Sequence, residues 1–337
     1  MKVWLFPIEP LPERYSEQWL MWWPEKLLDH GVEEVQTVMG DRLAKSIERG
    51  EFLDCYDTHY FKATQLARFA KALRAGHVKD EDVVLLLDAW NPAVESIAYM
   101  RQVGGHGFKL AGLFHAGTWD PWDMLTQKAL GEWASFCEMG WVRALDLVCV
   151  ATEFHKRLLQ QRPAMGSPTS KVVVTGFPLY PDGFIHHAKP WASRDRLVVF
   201  PHRIAPEKQP QEWEAIQGAY RDLYGDDGTR WVRSKDVCVS KDDYYRLLGE
   251  ARVAVSTARQ ETWGIAMIES AMLGAWPVTP DRLSYPETMR GYGRYETIED
   301  AAHMVRATLE QRDPSGYPLD AWTGAIGNVV QAVRSLR

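Results

Sequence analysis

The sequence predicts an α/β protein of two doubly wound domains facing a central cleft, and three observations predict it. Short apolar runs rich in Val and Leu alternate with longer helical patterns, which implies parallel sheets with helices on both faces. The alternation breaks once, in Pro181–Arg196, a stretch with two prolines, many polar residues and no strong periodicity. The chain has 337 residues, enough for two domains of about 150 residues each.

In the first half the apolar runs are Val3–Phe6, Val83–Leu87, Lys109–Phe114, Leu145–Val150 and Val172–Thr175. In the second they are Leu197–Phe200, Val237–Val239, Val253–Ser256 and Trp276–Thr279. Runs this short and unalternated read as strands buried on both faces. Helical patterns lie between them at Tyr60–Arg74, Pro121–Trp141, Phe154–Gln161, Gln209–Tyr224 and Asp242–Ala251. In Gln209–Tyr224 the residues Trp213, Ile216, Tyr220 and Leu223 recur at helical spacing. The break is read as a linker. The expected domains are residues 1–185 and 186–318, and residues 319–337 form a helix expected to cross back to the first domain.

Composition narrows the function classes. Apolar residues make up 46% and charged residues 25%, the balance of a soluble globular protein. A net charge of −6 argues against affinity built on an extended phosphate backbone, without excluding a local basic patch. Cys55, Cys137, Cys149 and Cys238 lack CxxC spacing, so they are expected to make neither a zinc site nor a disulfide framework, and a cytoplasmic location fits. The start, MKVWLFPIEPLP, has one basic residue and an apolar run broken by Pro7, unlike a signal peptide. No apolar stretch approaches the ~18 residues of a membrane span. The 15 Trp are many; Trp90, Trp119, Trp122, Trp263 and Trp276 fall in expected loops, where a ring near a pocket can stack on a sugar or base, although filling a core is the favoured reading for any one of them.

In open parallel sheets, ligands bind beyond the carboxyl ends of the strands, and the unusual residues fall there. After Leu197–Phe200 comes PHRIAPEKQP, with Arg203 and Lys208 in a short loop before a helix. Unpaired helix N–H groups, a bidentate Arg and a point-charge Lys suit a diphosphate; alone, the loop is also an ordinary solvated turn. The second constellation is STARQETWGIAMIESAMLGAWPVTP, Ser256–Pro280. Glu261 sits in a loop and Glu269 one turn into a helix. Gly264 lets backbone amides approach a ligand, and Thr262, Trp263 and Ile265 flank it. A carboxylate accepting two hydrogen bonds suits paired sugar or ribose hydroxyls.

This stretch resembles the Glu-x7-Glu signature of the family 4 glycosyltransferases, retaining enzymes of the GT-B type with two Rossmann-like domains; the resemblance covers Phe200 to about Glu287. It implies that Arg203 and Lys208 hold the donor diphosphate, that Glu261 lies at the donor sugar and that Glu269 binds the nucleotide ribose. Within that family, SKDDYYRLLGEARVAVSTARQETWG and GAWPVTPDRLSYPE are similar to the tRNA-queuosine mannosyltransferases. In the first half, FPIEPLPERYSEQW, DTHYFKATQLARF, LFHAGTWDPWD and VATEFHK resemble bacteriophage-encoded DNA-modifying glycosyltransferases. Both likenesses imply a hydroxyl on a modified nucleic-acid base as acceptor. DNA of the 5-hydroxymethylcytosine type is favoured over queuosine tRNA, in a host cytoplasm if the chain is phage-encoded. A UDP-sugar donor follows from the phage likeness and GDP-mannose from the queuosine likeness.

The acceptor side is expected in the first domain. His115 follows a strand and precedes an Ala-Gly turn, and the resemblance implies that it touches the donor sugar; with Arg203, Lys208 and Glu261 it makes the catalytic set. Asp88 and Asp120 also follow strand ends and can bind the acceptor hydroxyl or cap turns; Trp119 stands beside Asp120. Many members of the family have a Gly-rich first loop. Here PIEPLPERYSE has none, and Glu9, Arg14 and Tyr15 replace it. No carboxylate pair of the glycosidase kind is evident, so front-face attack is expected, with Arg203 and Lys208 stabilising the leaving diphosphate. No Asp-x-Asp stands at a strand end in the second half, so no metal or other cofactor is expected. Lys62, Arg68, Lys71, Arg74 and Lys79 read as a solvated face or as a phosphate track. The rival functions are a transferase with a small-molecule, glycan or lipid acceptor and a sugar-nucleotide epimerase.

Overall fold

A computed structural model describes residues 1–11, 14–43, 54–161, 171–311, 322 and 324–336. The chain divides into two compact units, Met1–Pro178 with Gly324–Arg337, and Leu179–Thr323.

The first unit carries strands β1 (Lys2–Phe6), β2 (Glu34–Thr37), β3 (Val83–Leu86), β4 (Lys109–Leu113), β5 (Leu147–Val150) and β6 (Val172–Val174). They form one parallel sheet in the order β2-β1-β3-β4-β5-β6. Between them run α1 (Tyr15–Asp29), α2 (Cys55–Arg74), α3 (Ala93–Val103), α4 (Met124–Gln127), α5 (Gly131–Ala144) and α6 (Glu153–Gln160). The second unit carries β7 (Leu197–Phe200), α7 (Pro210–Tyr224), β8 (Arg230–Arg233), α8 (Ser234–Val237), α9 (Lys241–Glu250), β9 (Val253–Val255), α10 (Ile265–Met272), β10 (Trp276–Pro280), α11 (Tyr285–Thr288), β11 (Gly293–Tyr295) and α12 (Ile298–Glu310). Its parallel sheet has the order β11-β10-β9-β7-β8. Both units are thus parallel α/β layers, as the alternating pattern predicts.

The cores explain the pattern. β3 and β7 are buried along their whole length, because helices cover both faces. In the second unit, Val198, Phe200, Val253 and Val255 pack against Trp213, Ile216 and Tyr220 of α7 and against Ala301, Ala302 and Val305 of α12. The last helix, α13 (Ala325–Arg334), packs in the first unit beside α1 and β5. There Asn328 donates to the Thr175 carbonyl at 3.1 Å, and Arg334 donates to the carbonyls of His30 and Gly31 at 2.7 and 2.8 Å. Of the helix expected over residues 319–337, residues 319–321, 323 and 337 lie outside the described residues.

Three expectations are corrected. Val237–Val239 is not a strand: Val237 ends α8 and Val239 lies in the following loop, 55% and 84% exposed. The true strand is β8, a sheet edge whose RWVR sequence alternates charge with bulk. Pro121–Trp141 is two helices, α4 and α5, separated at Ala129, which adopts a positive φ of 59°. The glycine-free first loop ends at Arg14, which stands at the N-cap position of α1 without a side-chain capping bond, so Tyr15 belongs to the helix. That helix buries Trp19, Trp22 and Trp23 at i, i+3 and i+4 spacing.

Candidate functional site

In the second unit two loops are stitched together at the carboxyl ends of β7 and β9. Thr257, just past β9, donates its hydroxyl to the Lys208 and Gln209 carbonyls at 2.7 and 2.9 Å. The Arg259 amide donates to the Glu207 carbonyl at 2.8 Å. The Lys208 ammonium reaches back to the Gln260 carbonyl at 2.6 Å and to Glu261 Oε2 at 3.2 Å. Gln209 turns the first loop into α7 with a left-handed φ of 51°, and Pro210 then occupies the first helical position, where its missing N–H costs nothing.

Glu261 faces the start of α10. Its Oε1 accepts from the amides of Thr262 and Trp263 at 3.2 and 3.4 Å, and the helix dipole favours the anion there. Burial pushes this carboxyl up, but Lys208, His202 and the Gly264 amide together hold it below its ordinary range. Gly264 is left-handed, with φ 86°, and a Cβ there would lie 3.1 Å from the Tyr285 ring. Thr262 and Trp263 are buried, and Ile265 is half-buried.

Arg203 is half-exposed and ion-paired with Glu207. Lys208 is buried against Glu261. Each cation therefore faces its own carboxylate, so a diphosphate would compete with Glu207 and Glu261 for them. Glu207 had no signal in the sequence beyond its place in the loop. His202, which stands in the Pro-His-Arg start of that loop, is buried and bonded to Ser256 Oγ at 2.8 Å, with Ser256 in turn bonded to Tyr285 at 2.7 Å. Burial, with Lys208 close by, pulls the His202 imidazole down to about 3, so it is neutral at physiological pH.

Glu269, on α10, is buried with 1% exposure. Lys241 donates to both of its oxygens at 2.9 and 3.2 Å, Tyr244 to Oε2 at 3.1 Å and Tyr245 to Oε1 at 3.0 Å. A carboxylate has about four acceptor positions, so α9 supplies a full complement of donors. These three residues come from SKDDYY, a run noticeable in the sequence only for its resemblance.

The first-unit candidates fall into separate surroundings. His115 follows β4, and its Nε2 donates to the Leu87 carbonyl at 2.6 Å; a carbonyl only accepts. Nδ1 therefore accepts from the Tyr15 hydroxyl at 3.0 Å. The ring stacks on Phe177 at 4.5 Å, and burial lowers its pKa despite Asp88. Asp88 accepts from Lys62 at 2.9 Å and from the Trp90 amide at 3.0 Å. Lys62 is itself buried and so leaves the five-residue basic stripe; Arg68 is paired with Asp41. Trp119 is buried against Phe114 and under Gly117, where a Cβ would come within 2.4 Å of the indole. Asp120 is buried and caps a turn at the Trp122 amide, 2.9 Å away. Glu9 is buried, its Oε2 accepting from Thr58 at 2.6 Å. Arg14 is half-buried at the start of α1.

No protein-family model matches the chain. A tRNA-queuosine alpha-mannosyltransferase of Drosophila melanogaster is 30% identical over 129 residues, 35% of this chain and 32% of that enzyme. The match thus spans about a third of the relative's length. A solved lipopolysaccharide outer core galactosyltransferase, in its apo form, is similar with a TM-score of 0.62 and 12% identity, over 99% of both chains. An α,α-trehalose 6-phosphate synthase from Burkholderia multivorans gives 0.61 at 12% identity, over 99% of this chain and 93% of that one. Sucrose-phosphate synthase from Thermosynechococcus elongatus gives 0.59 at 14% identity, over 100% and 94%. The chain has the GT-B fold, two parallel-sheet α/β domains.

Proposed function

We propose that the chain is a retaining glycosyltransferase that moves a sugar from a nucleotide-sugar donor to a hydroxyl on a modified nucleic-acid base. One observation carries the donor half of this reading: Lys208, Glu261 and the amides of Thr262 and Trp263 just before α10 converge where two stitched loops leave β7 and β9. In this reading Arg203 and Lys208 release their carboxylates to the donor diphosphate and stabilise it as it leaves. Glu261 is then freed for the donor sugar, held in place by Thr262, Trp263, Gly264 and Ile265. Glu269, whose acceptor positions α9 fills, gives up one of those donors to accept from the ribose hydroxyls. His115 is the sugar-contacting residue of the first unit, its imidazole neutral. Front-face attack needs no covalent sugar intermediate, and the departing phosphate takes the acceptor proton.

The base-hydroxyl acceptor rests on the two resemblances, and the mannosyltransferase of Drosophila melanogaster, whose name states a queuosine tRNA acceptor, favours tRNA as the second reading after hydroxymethylated DNA. The test is to incubate the chain with UDP-glucose, UDP-galactose, UDP-N-acetylglucosamine and GDP-mannose. Each is paired with 5-hydroxymethylcytosine DNA, with queuosine tRNA and with no acceptor, and the digested nucleosides are weighed by mass spectrometry. Sugar on the DNA base supports the first acceptor and sugar on queuosine the second. Conversion of the donor to its epimer, with no transfer to any acceptor, sinks the transferase reading.

A further inference from the structure

Outside the donor site, the second unit brings three metal-ligating side chains to one point. His186 and His187 end the short helical turn Ile185–His187, and Asp242 lies in the first turn of α9. Their ligand atoms all lie within 4.8 Å of one another. His187 Nε2 is 2.8 Å from Asp242 Oδ1, and the two imidazoles converge with ring centroids 4.1 Å apart.

The backbone under this cluster is held from both sides. Phe184 stacks on Tyr245 of α9 at 4.5 Å and 18°. Gly249 of the same helix lies so close to the turn that a Cβ would come within 2.0 Å of the His187 carbonyl oxygen. The ligands are thus carried by two elements already locked together, and little backbone entropy remains to be lost on binding.

We propose that His186, His187 and Asp242 form a site for Zn2+ or another late divalent transition metal, with a fourth position left to water. Two imidazoles and one carboxylate are the donor set such ions take, in preference to Mg2+ or Ca2+. Ligands about 2.1 Å from a tetrahedral ion sit about 3.4 Å apart, so the widest spacing must close by little more than an ångström. His186 is exposed and free to turn by that amount. Arg246 holds Asp242 Oδ2 and leaves Oδ1 to the ion. Its charge opposes the cation, so binding is expected to be weaker than at a buried structural zinc. The ion bridges the segment before β7 to α9, the helix whose Lys241, Tyr244 and Tyr245 hold Glu269. It is a structural clamp outside the reaction, and the inference does not depend on the proposed function.

The test is calorimetric titration of the untagged chain with ZnCl2 alone, then with CoCl2 to read the visible band of four-coordinate Co2+. Variants are His186→Ala, His187→Ala and Asp242→Asn, with His303→Ala on α12 as a control. One equivalent of Zn2+ is expected for the native chain and the control. Each ligand variant should bind at least about tenfold more weakly and lose the cobalt band. Circular dichroism without metal checks that each variant is folded; if His187→Ala does not fold, His186→Ala carries the decision, since its ring is exposed. Absence of binding, or equal affinity in native chain and ligand variants, overturns the site.

Discussion

Lys208 and Glu261, 53 residues apart in sequence, meet at 3.2 Å and join the two loops of the donor site. Both side chains are largely buried, with 10% and 17% exposure, so neither charge is well placed without the other. Lys208→Met should destabilise the chain by about 3 kcal/mol, the cost of stranding a buried charge. The double variant Lys208→Met with Glu261→Leu should lose less than the two single losses combined. Chemical denaturation of all three reads this, and additive losses would refute the coupling.

Acidification should act through the same cluster. The Glu261 carboxyl is depressed in the folded chain. Its stabilisation is therefore present above the ordinary carboxylate range and is lost as pH falls through the folded value. The His202 imidazole is lowered from 6.5 to about 3. The unfolded chain takes up that proton first, so stability falls as pH drops from about 6.5 toward 3. His202→Asn should flatten the stability curve across that window, and Glu261→Gln should flatten it only in the more acidic part.

Two glycines should respond differently to alanine. Gly264→Ala meets a left-handed φ of 86° and should cost about 1–2 kcal/mol, while also lowering transfer by disturbing the amides before α10. Gly117→Ala drives a methyl to 2.4 Å from the buried Trp119 ring. That overpacking should cost about 1–3 kcal/mol, relieved when Trp119 is shortened to Leu in the same chain. Thermal unfolding of the four chains compares them.

Lys241→Met removes the bifurcated donor to Glu269. A hydrogen bond to a charged group is worth about 1.5–3 kcal/mol, so donor binding should weaken by tenfold or more while turnover at saturating donor changes little. Steady-state kinetics separates the two parameters, and a loss confined to kcat would argue against a donor-positioning role.

A chelator should leave sugar transfer intact even where it strips Zn2+ from the histidine pair. Loss of transfer in EDTA, restored by Mg2+ or Mn2+, would contradict the metal-independent reading.

Central strands were legible because burial on both faces demands unbroken apolar runs, as in VVLL of β3 and LVVF of β7. Three edge strands were not, although a fourth, VVV of β6, was. EVQT of β2, RWVR of β8 and GRY of β11 each pair on one side only and keep half-exposed residues. Val237 and Val239 imitated a strand because apolar residues at a surface carry the same letters as those in a core. Within the site, the positions of Arg203, Lys208, Glu261 and Glu269 at strand ends and helix starts were legible. Their partners were not, because pairings such as Glu269 with Lys241, or His202 with Ser256, depend on which strands become neighbours. The sequence places Trp119 in a loop, yet the bare face of Gly117 is what lets its ring fold inward.

The return of α13 to β5 and α1 gives the two units different histories during synthesis. Leu179–Thr323 is continuous in the chain and has its whole sheet before Ala325 emerges from the ribosome. The first unit has its sheet early but waits for Asn328 and Arg334 to satisfy the carbonyls of Thr175, His30 and Gly31. Nascent-chain folding should therefore finish in the unit that began first. A stop codon placed just before Ala325 would injure the amino-terminal half of the protein and spare the half beside it.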